Sequence, residues 1–189
     1  MTIDKGFDVK RPVHAILDFY GAINFTHTFW TSPLANEKAP AVTKEYMNQV
    51  YEEKPVPIKG GVSLEGQAEP GKPPPLTPRA AFAFTQISNG TVLSACFPSG
   101  QFEKVDACLS MHKNFPPTCI VHGTADTKVP KYLSEVLYEA MKEKGVKCEF
   151  IEVPGEEHTF LGHMKKGSRT WDLQRQGFDF LEKEIGRQI

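Results

Sequence analysis

The stretch that most constrains this chain is Pro116-Pro117-Thr118-Cys119-Ile120-Val121-His122-Gly123-Thr124-Ala125-Asp126-Thr127-Lys128-Val129-Pro130. Its apolar run, Cys119 to Val121, reads as a buried strand. The run breaks at Gly123 into a polar loop carrying Asp126, and Pro130 stands where a helix can begin. In open α/β sheets ligands bind at the carboxyl ends of strands, so Asp126 occupies a position where chemistry is expected.

The same grammar returns downstream. Lys147 to Val153 reads as a second strand, Pro154 to Phe160 as its loop, and that loop presents His158. Lys131 to Lys144, between the two strands, is a predicted helix with Leu133, Val136, Leu137, Ala140 and Met141 on one apolar face, stopped by Gly145. Alternation along Lys147 to Val153 suits a half-exposed strand near a sheet edge. A last helix is expected over Arg169 to Ile185, capped by Ser168, with Trp171, Phe178, Leu181 and Ile185 inward.

With an acid after one strand and a histidine after the next, HGTADTKVP and PGEEHTF resemble the acid and histidine loops of α/β-hydrolases. The likeness is to the esterase, dienelactone-hydrolase and prolyl-oligopeptidase branches. That order, nucleophile then acid then histidine, is the one the fold uses. The resemblance implies that Asp126 orients and stabilises the imidazole of His158, which takes a proton from a nucleophile. Glu156 and Glu157 flank the histidine and are alternative partners for it. His122, just before Gly123, is expected to make a structural hydrogen bond, and His163 has no assigned part.

The family's G-x-S-x-G nucleophile elbow is not found in this sequence. Its nearest approach is Gly61-Val62-Ser63-Leu64-Glu65, with Gly66 one position late and no strand before it. The HGGG-type oxyanion loop is not found either. The resemblance is therefore to the C-terminal half of the fold. It implies a partial α/β-hydrolase fold, a short and mostly parallel sheet flanked by helices with an irregular cap-like insertion.

Upstream, Val13 to Tyr20 reads as a buried parallel strand, corresponding by resemblance to the one after the nucleophile strand. Asp18 and Tyr20 fall near its carboxyl end. Each is either at the edge of the site or plainly structural, Asp18 bonding a turn and Tyr20 filling core. Residues 22–115 form the cap-like insertion and residues 116–189 carry the acid and histidine loops, all within one domain. In the insertion, Phe29 and Trp30 are candidate substrate-binding residues together with Tyr20; packed core is the other reading of that pair. Helices are expected over 43–52, 78–89 and 91–97, with a proline- and glycine-rich tract from Pro55 through Pro78 and a loosely held lead-in over residues 1–11. His112 is expected on a short helix.

At 189 residues, with 40% hydrophobic and 24% charged residues, the chain can bury a core. A net charge of −1 gives no electrostatic case for nucleic acid or an anionic membrane. The charged N-terminus does not read as a signal peptide. Cys96, Cys108, Cys119 and Cys148 are expected as reduced thiols in a cytoplasmic protein. Cys108 and His112 alone do not make a metal site; neither a metal nor a cofactor is expected.

The expected partner is a small-molecule substrate: an ester, lactone or amide. An Asp–His pair could instead serve non-hydrolytic acid–base chemistry of isomerase, cyclase or lyase type, or the chain could be a binding module that keeps the fold. With the nucleophile strand missing from its flank, the Val13–Tyr20 strand is expected to pair with another chain, as a homodimer or with a complementing half.

Overall fold

The computed structural model describes residues 13–35, 38–52, 76–160 and 165–186. The chain divides into two compact units, one made of Met1–Asn24 with Phe102–Ile189 and the other of Phe25–Gln101. Ser63, His163, the lead-in and most of the proline-rich tract lie outside the described residues.

Among the described residues the first unit is built on three parallel strands in the order β1 (Ile16–Phe19), β2 (Thr118–Gly123), β3 (Cys148–Val153). Parallel neighbours need a crossover, and the helix Lys131–Glu143 (α4 in chain order) supplies it between β2 and β3. The central strand is buried along its whole length, as its apolar run requires. β3 at the edge alternates between exposed and buried positions. β1 is shorter than its apolar sequence foretold, because pairing with β2 begins only at Ile16 opposite Thr118.

Alternate residues divide the sheet into two faces. Cys119, Val121, Ile151 and Val153 join Phe160 and Phe180 in one core. This face carries the helix Arg169–Gly186 (α5). Gly177 lets α5 come close: a Cβ there would lie 2.6 Å from Leu17 Cδ1 and 3.0 Å from Val121 Cγ2. That contact sets the helix's rotation. Thr170, Gly177, Phe180 and Glu184 are the buried positions. The expectation of Trp171, Phe178 and Ile185 inward is corrected: all three are exposed on a neighbouring stripe. Similarly, α4 buries Leu133, Ser134, Leu137 and Met141, whereas Val136 faces outward.

Among its described residues the second unit holds three short α-helices, α1 (Lys44–Asn48), α2 (Pro78–Ser88) and α3 (Val92–Cys96). Thr43 and Thr77 cap the first two by accepting from Tyr46 N and Ala80 N, each at 3.2 Å. The helix expected through residue 52 tightens after Asn48 into a 3₁₀ turn, Gln49–Tyr51. Among the described residues, no helix is long and apolar enough to cross a membrane. His112 lies in irregular chain, not on a helix.

Candidate active site

The site begins where β2 and β3 end. Thr124 N donates to Val153 O at 3.0 Å, Ala125 N to Glu156 O at 3.0 Å, and Gly155 N to Thr124 Oγ1 at 2.9 Å. These bonds draw the two loops together. They require a glycine at 123, since a Cβ there would stand 2.2 Å from the Glu156 carbonyl oxygen.

Asp126 is placed by this junction. Its Oδ1 accepts from the backbone N–H of Lys128 at 2.9 Å and of Val129 at 2.8 Å, turning the chain into α4. Its Oδ2 lies 2.7 Å from His158 Nδ1 and 3.2 Å from His122 Nε2. Burial pushes the carboxyl up, but hydrogen bonds from His122, His158 and the Val129 N–H, with the charge of His158, outweigh it. The net effect holds Asp126 well below the usual carboxylate range, so it is ionised at neutral pH. An ionised carboxylate only accepts, so His158 Nδ1 carries a proton toward it, and in the neutral imidazole Nε2 is the basic nitrogen.

Tyr20 forms a wall of the same site. Its ring centroid is 4.8 Å from that of His158, and it meets Phe160 edge-on at 5.2 Å. Tyr20, Thr159 and Phe160 all take positive φ (43°, 67° and 54°). For a β-branched residue such as Thr159 that conformation is strained, and strain of this kind gathers at functional sites.

Of the residues singled out in the sequence, Asp126, His158 and Tyr20 converge here. Glu156 is buried and accepts from Thr170 Oγ1, while Glu157 accepts from Thr127 Oγ1 at 3.4 Å; the carboxylate on the His158 Nδ1 side is Asp126. Phe29 and Trp30 lie in the second unit, on a 3₁₀ turn (Thr28–Thr31). Their rings pack edge-on at 5.0 Å, and Trp30, itself buried, also meets Phe25 at 5.6 Å. His122 makes the structural bonds expected of it, to Ser134 Oγ at 2.7 Å and Val129 O at 2.8 Å. Ser134 was not foreseen; a small hydroxyl between Leu133 and Leu137 on a buried stripe was its only signal.

Asp18 sits on β1 with Gly21 packed against its carboxyl. Burial pushes that carboxyl up, against the charge of His122 and a bond from the Gly21 backbone, and its Oδ2 is buried with no hydrogen-bond partner among the described residues. The cysteines are free thiols. Burial first, then nearby carboxylates, pushes Cys108 and Cys119 up to about 12, which leaves neither a thiolate nucleophile. Among the described residues no three of His, Cys, Asp and Glu gather as a metal set.

The model of the prolyl oligopeptidase family matches residues 85–188, more than half of the chain and the whole of the acid and histidine region. The chain belongs to that family. Similar curated proteins include the non-reducing polyketide synthase Preu6 of Preussia isomera, 30% identical over 90% of this chain and 8% of that protein. Another is the non-reducing polyketide synthase prhL of Penicillium brasilianum, 22% identical over 93% of this chain and 8% of that one. The chain thus spans under a tenth of the length of these relatives. Among solved structures, Thermogutta terrifontis esterase 2 is 30% identical over 44% of this chain and 32% of its own, with a TM-score of 0.39. A truncated carbohydrate esterase from gut microbiota is 19% identical over 92% of this chain and 43% of its own, with a TM-score of 0.44. Family membership makes this a hydrolase-like α/β chain.

Proposed function

We propose that this chain carries the acid, Asp126, and the base, His158, of a serine-hydrolase-type site acting on an ester, lactone or amide of a small organic molecule. The observation that carries the reading is the 2.7 Å bond between Asp126 Oδ2 and His158 Nδ1 at the carboxyl ends of neighbouring parallel strands. The basic Nε2 of His158 takes the proton of a nucleophile, and Asp126, remaining ionised, stabilises the imidazolium. The polyketide synthase relatives make a polyketide-type acyl chain the substrate class we favour.

The nucleophile and the oxyanion donors come from a complementing segment that pairs beside β1, on a second chain or elsewhere in a longer protein. Three features at that flank support the reading. Among the described residues β1 pairs only with β2. Asp18 Oδ2 is a buried acceptor with no hydrogen-bond partner among the described residues. Phe178 and Trp171 are exposed, with Phe178 packed 5.8 Å from Phe19 on β1. Such an edge with apolar surface beside it invites pairing. A homodimer is the first form we expect when the chain is alone. Tyr20 is proposed to contact substrate beside His158; Phe29 and Trp30 are proposed as substrate contacts of the second unit taken by itself. Four free thiols favour a reducing compartment such as the cytoplasm.

A fluorophosphonate probe tests the division of labour. The isolated chain is expected to remain unlabelled, because its sequence carries no G-x-S-x-G motif. Stoichiometric labelling at Ser63, or at any other serine, would move the nucleophile into this chain and overturn the proposal.

A further inference from the structure

His122 is a buried imidazole to which the acid–base step assigns no part. Its Nε2 faces two acceptors, the Val129 carbonyl at 2.8 Å and Asp126 Oδ2 at 3.2 Å. Neither can donate, so Nε2 carries the proton. Its Nδ1 lies 2.7 Å from Ser134 Oγ, and in the neutral ring that nitrogen accepts the serine hydroxyl. Asp126, His122 and Ser134 bring together the residue types of a catalytic triad, but Ser134 has 0% exposure and cannot meet a substrate. The set does something else. It places a second imidazole N–H on the same carboxylate oxygen that binds His158.

We propose that His122 is a positioning residue for the Asp126–His158 pair. Locked by Ser134 and Val129, it fixes the carboxylate plane and shares Oδ2, which weakens the pull of Asp126 on the proton of His158. The role rests on reading Asp126 and His158 as the acid and base. A carboxylate relieved of one donor accepts more strongly from those that remain, so loss of the His122 N–H strengthens the hold on protonated His158.

Other charges surround both rings and stay constant in the comparison. Asp18 on β1 is the carboxyl whose electrostatics His122 enters. Glu152 on β3, in register with His122, is engaged by Lys131 of α4 at 2.8 Å. Beside His158 stand Tyr20, after β1, and Glu157, which accepts from Thr127.

The test is an NMR titration of His158 in the full chain and three variants, which reads proton affinity without needing hydrolysis and so fails separately from the proposed activity. In His122→Phe the pKa of His158 is expected to rise by about one unit, a tenfold tightening of the proton. In His122→Gln, whose amide N–H can reach Oδ2, it should stay near the parent value. Ser134→Ala, which frees the ring of His122 but keeps its N–H, should give a smaller rise. An unchanged His158 in folded His122→Phe, or a rise in His122→Gln as large as in His122→Phe, overturns the proposal. Should His122→Phe fail to fold, the ¹⁵N shifts of His122 in the parent chain decide. The Nε2-protonated tautomer is expected, and a ring protonated on Nδ1 alone contradicts the proposed role.

Discussion

The imidazole of His158 and the carboxylate of Asp126 meet at 2.7 Å across 32 positions of sequence. Two parallel strands ending side by side bring them together, with loops zipped by Ala125 N on Glu156 O. The pair is thus a product of the sheet, and its energetics are coupled to the fold.

That coupling gives a pH dependence. Asp126 is depressed in the folded chain, so its contribution to stability is complete above the unfolded value of about 3.9. It is lost as pH falls below that value toward the lower folded one. Asp126→Asn should cost about 2–3 kcal/mol at pH 7, because a carboxylate accepting four hydrogen bonds is replaced by an amide that turns donors toward donors. Urea melts at pH 7 and pH 3 should show this gap narrowing at the lower pH. A gap that widens on acidification would contradict the assignment.

Gly123 is expected to tolerate no side chain. Gly123→Ala forces a Cβ against the Glu156 carbonyl and should destabilise by about 2–3 kcal/mol through displacement of packed backbone. The same melts would detect it. The His158–Asp126 bond should loosen with it, visible as faster exchange of the His158 Nδ1 proton.

Tyr20 is expected to shield His158. In Tyr20→Ala the imidazole loses the ring 4.8 Å away, and carbethoxylation of His158 by diethylpyrocarbonate should speed up severalfold. Tyr20→Phe keeps the ring and should react as the parent does. Equal rates in all three would remove Tyr20 from the site.

The β1 flank should govern association. Light scattering of the isolated chain at micromolar concentration is expected to show a dimer, and Phe178→Lys to shift it toward monomer by placing a charge on the exposed stripe beside β1. A parent chain that is a stable monomer would count against pairing through this edge.

How far the sequence can be read depended on what local pattern encodes. The strand–loop–helix grammar placed Asp126 and His158 on loops after two strands, and those strands are neighbours in the sheet; strand ends and glycine breaks are local. The rotation of the helices was not local. Trp171, Phe178 and Ile185 form the larger apolar stripe of α5, yet close approach at Gly177 turns the neighbouring stripe inward. On α4, Val136 gives way to Ser134 because His122, on another strand, buries a nitrogen that needs a hydroxyl. Position 20 read more readily as core than as site, and nothing local in the sequence shows that its ring lies 4.8 Å from that of His158.

The central claim is that His158, oriented by Asp126, is the base of this chain. Its most direct test is the hydrolysis of p-nitrophenyl acetate by the isolated chain, followed against pH beside His158→Ala. Without a serine elbow the turnover should be slow, but what there is should depend on the imidazole. The account predicts a rate that rises with a single ionisation and falls at least about tenfold in His158→Ala. Turnover by the parent that His158→Ala leaves unchanged would place the chemistry elsewhere.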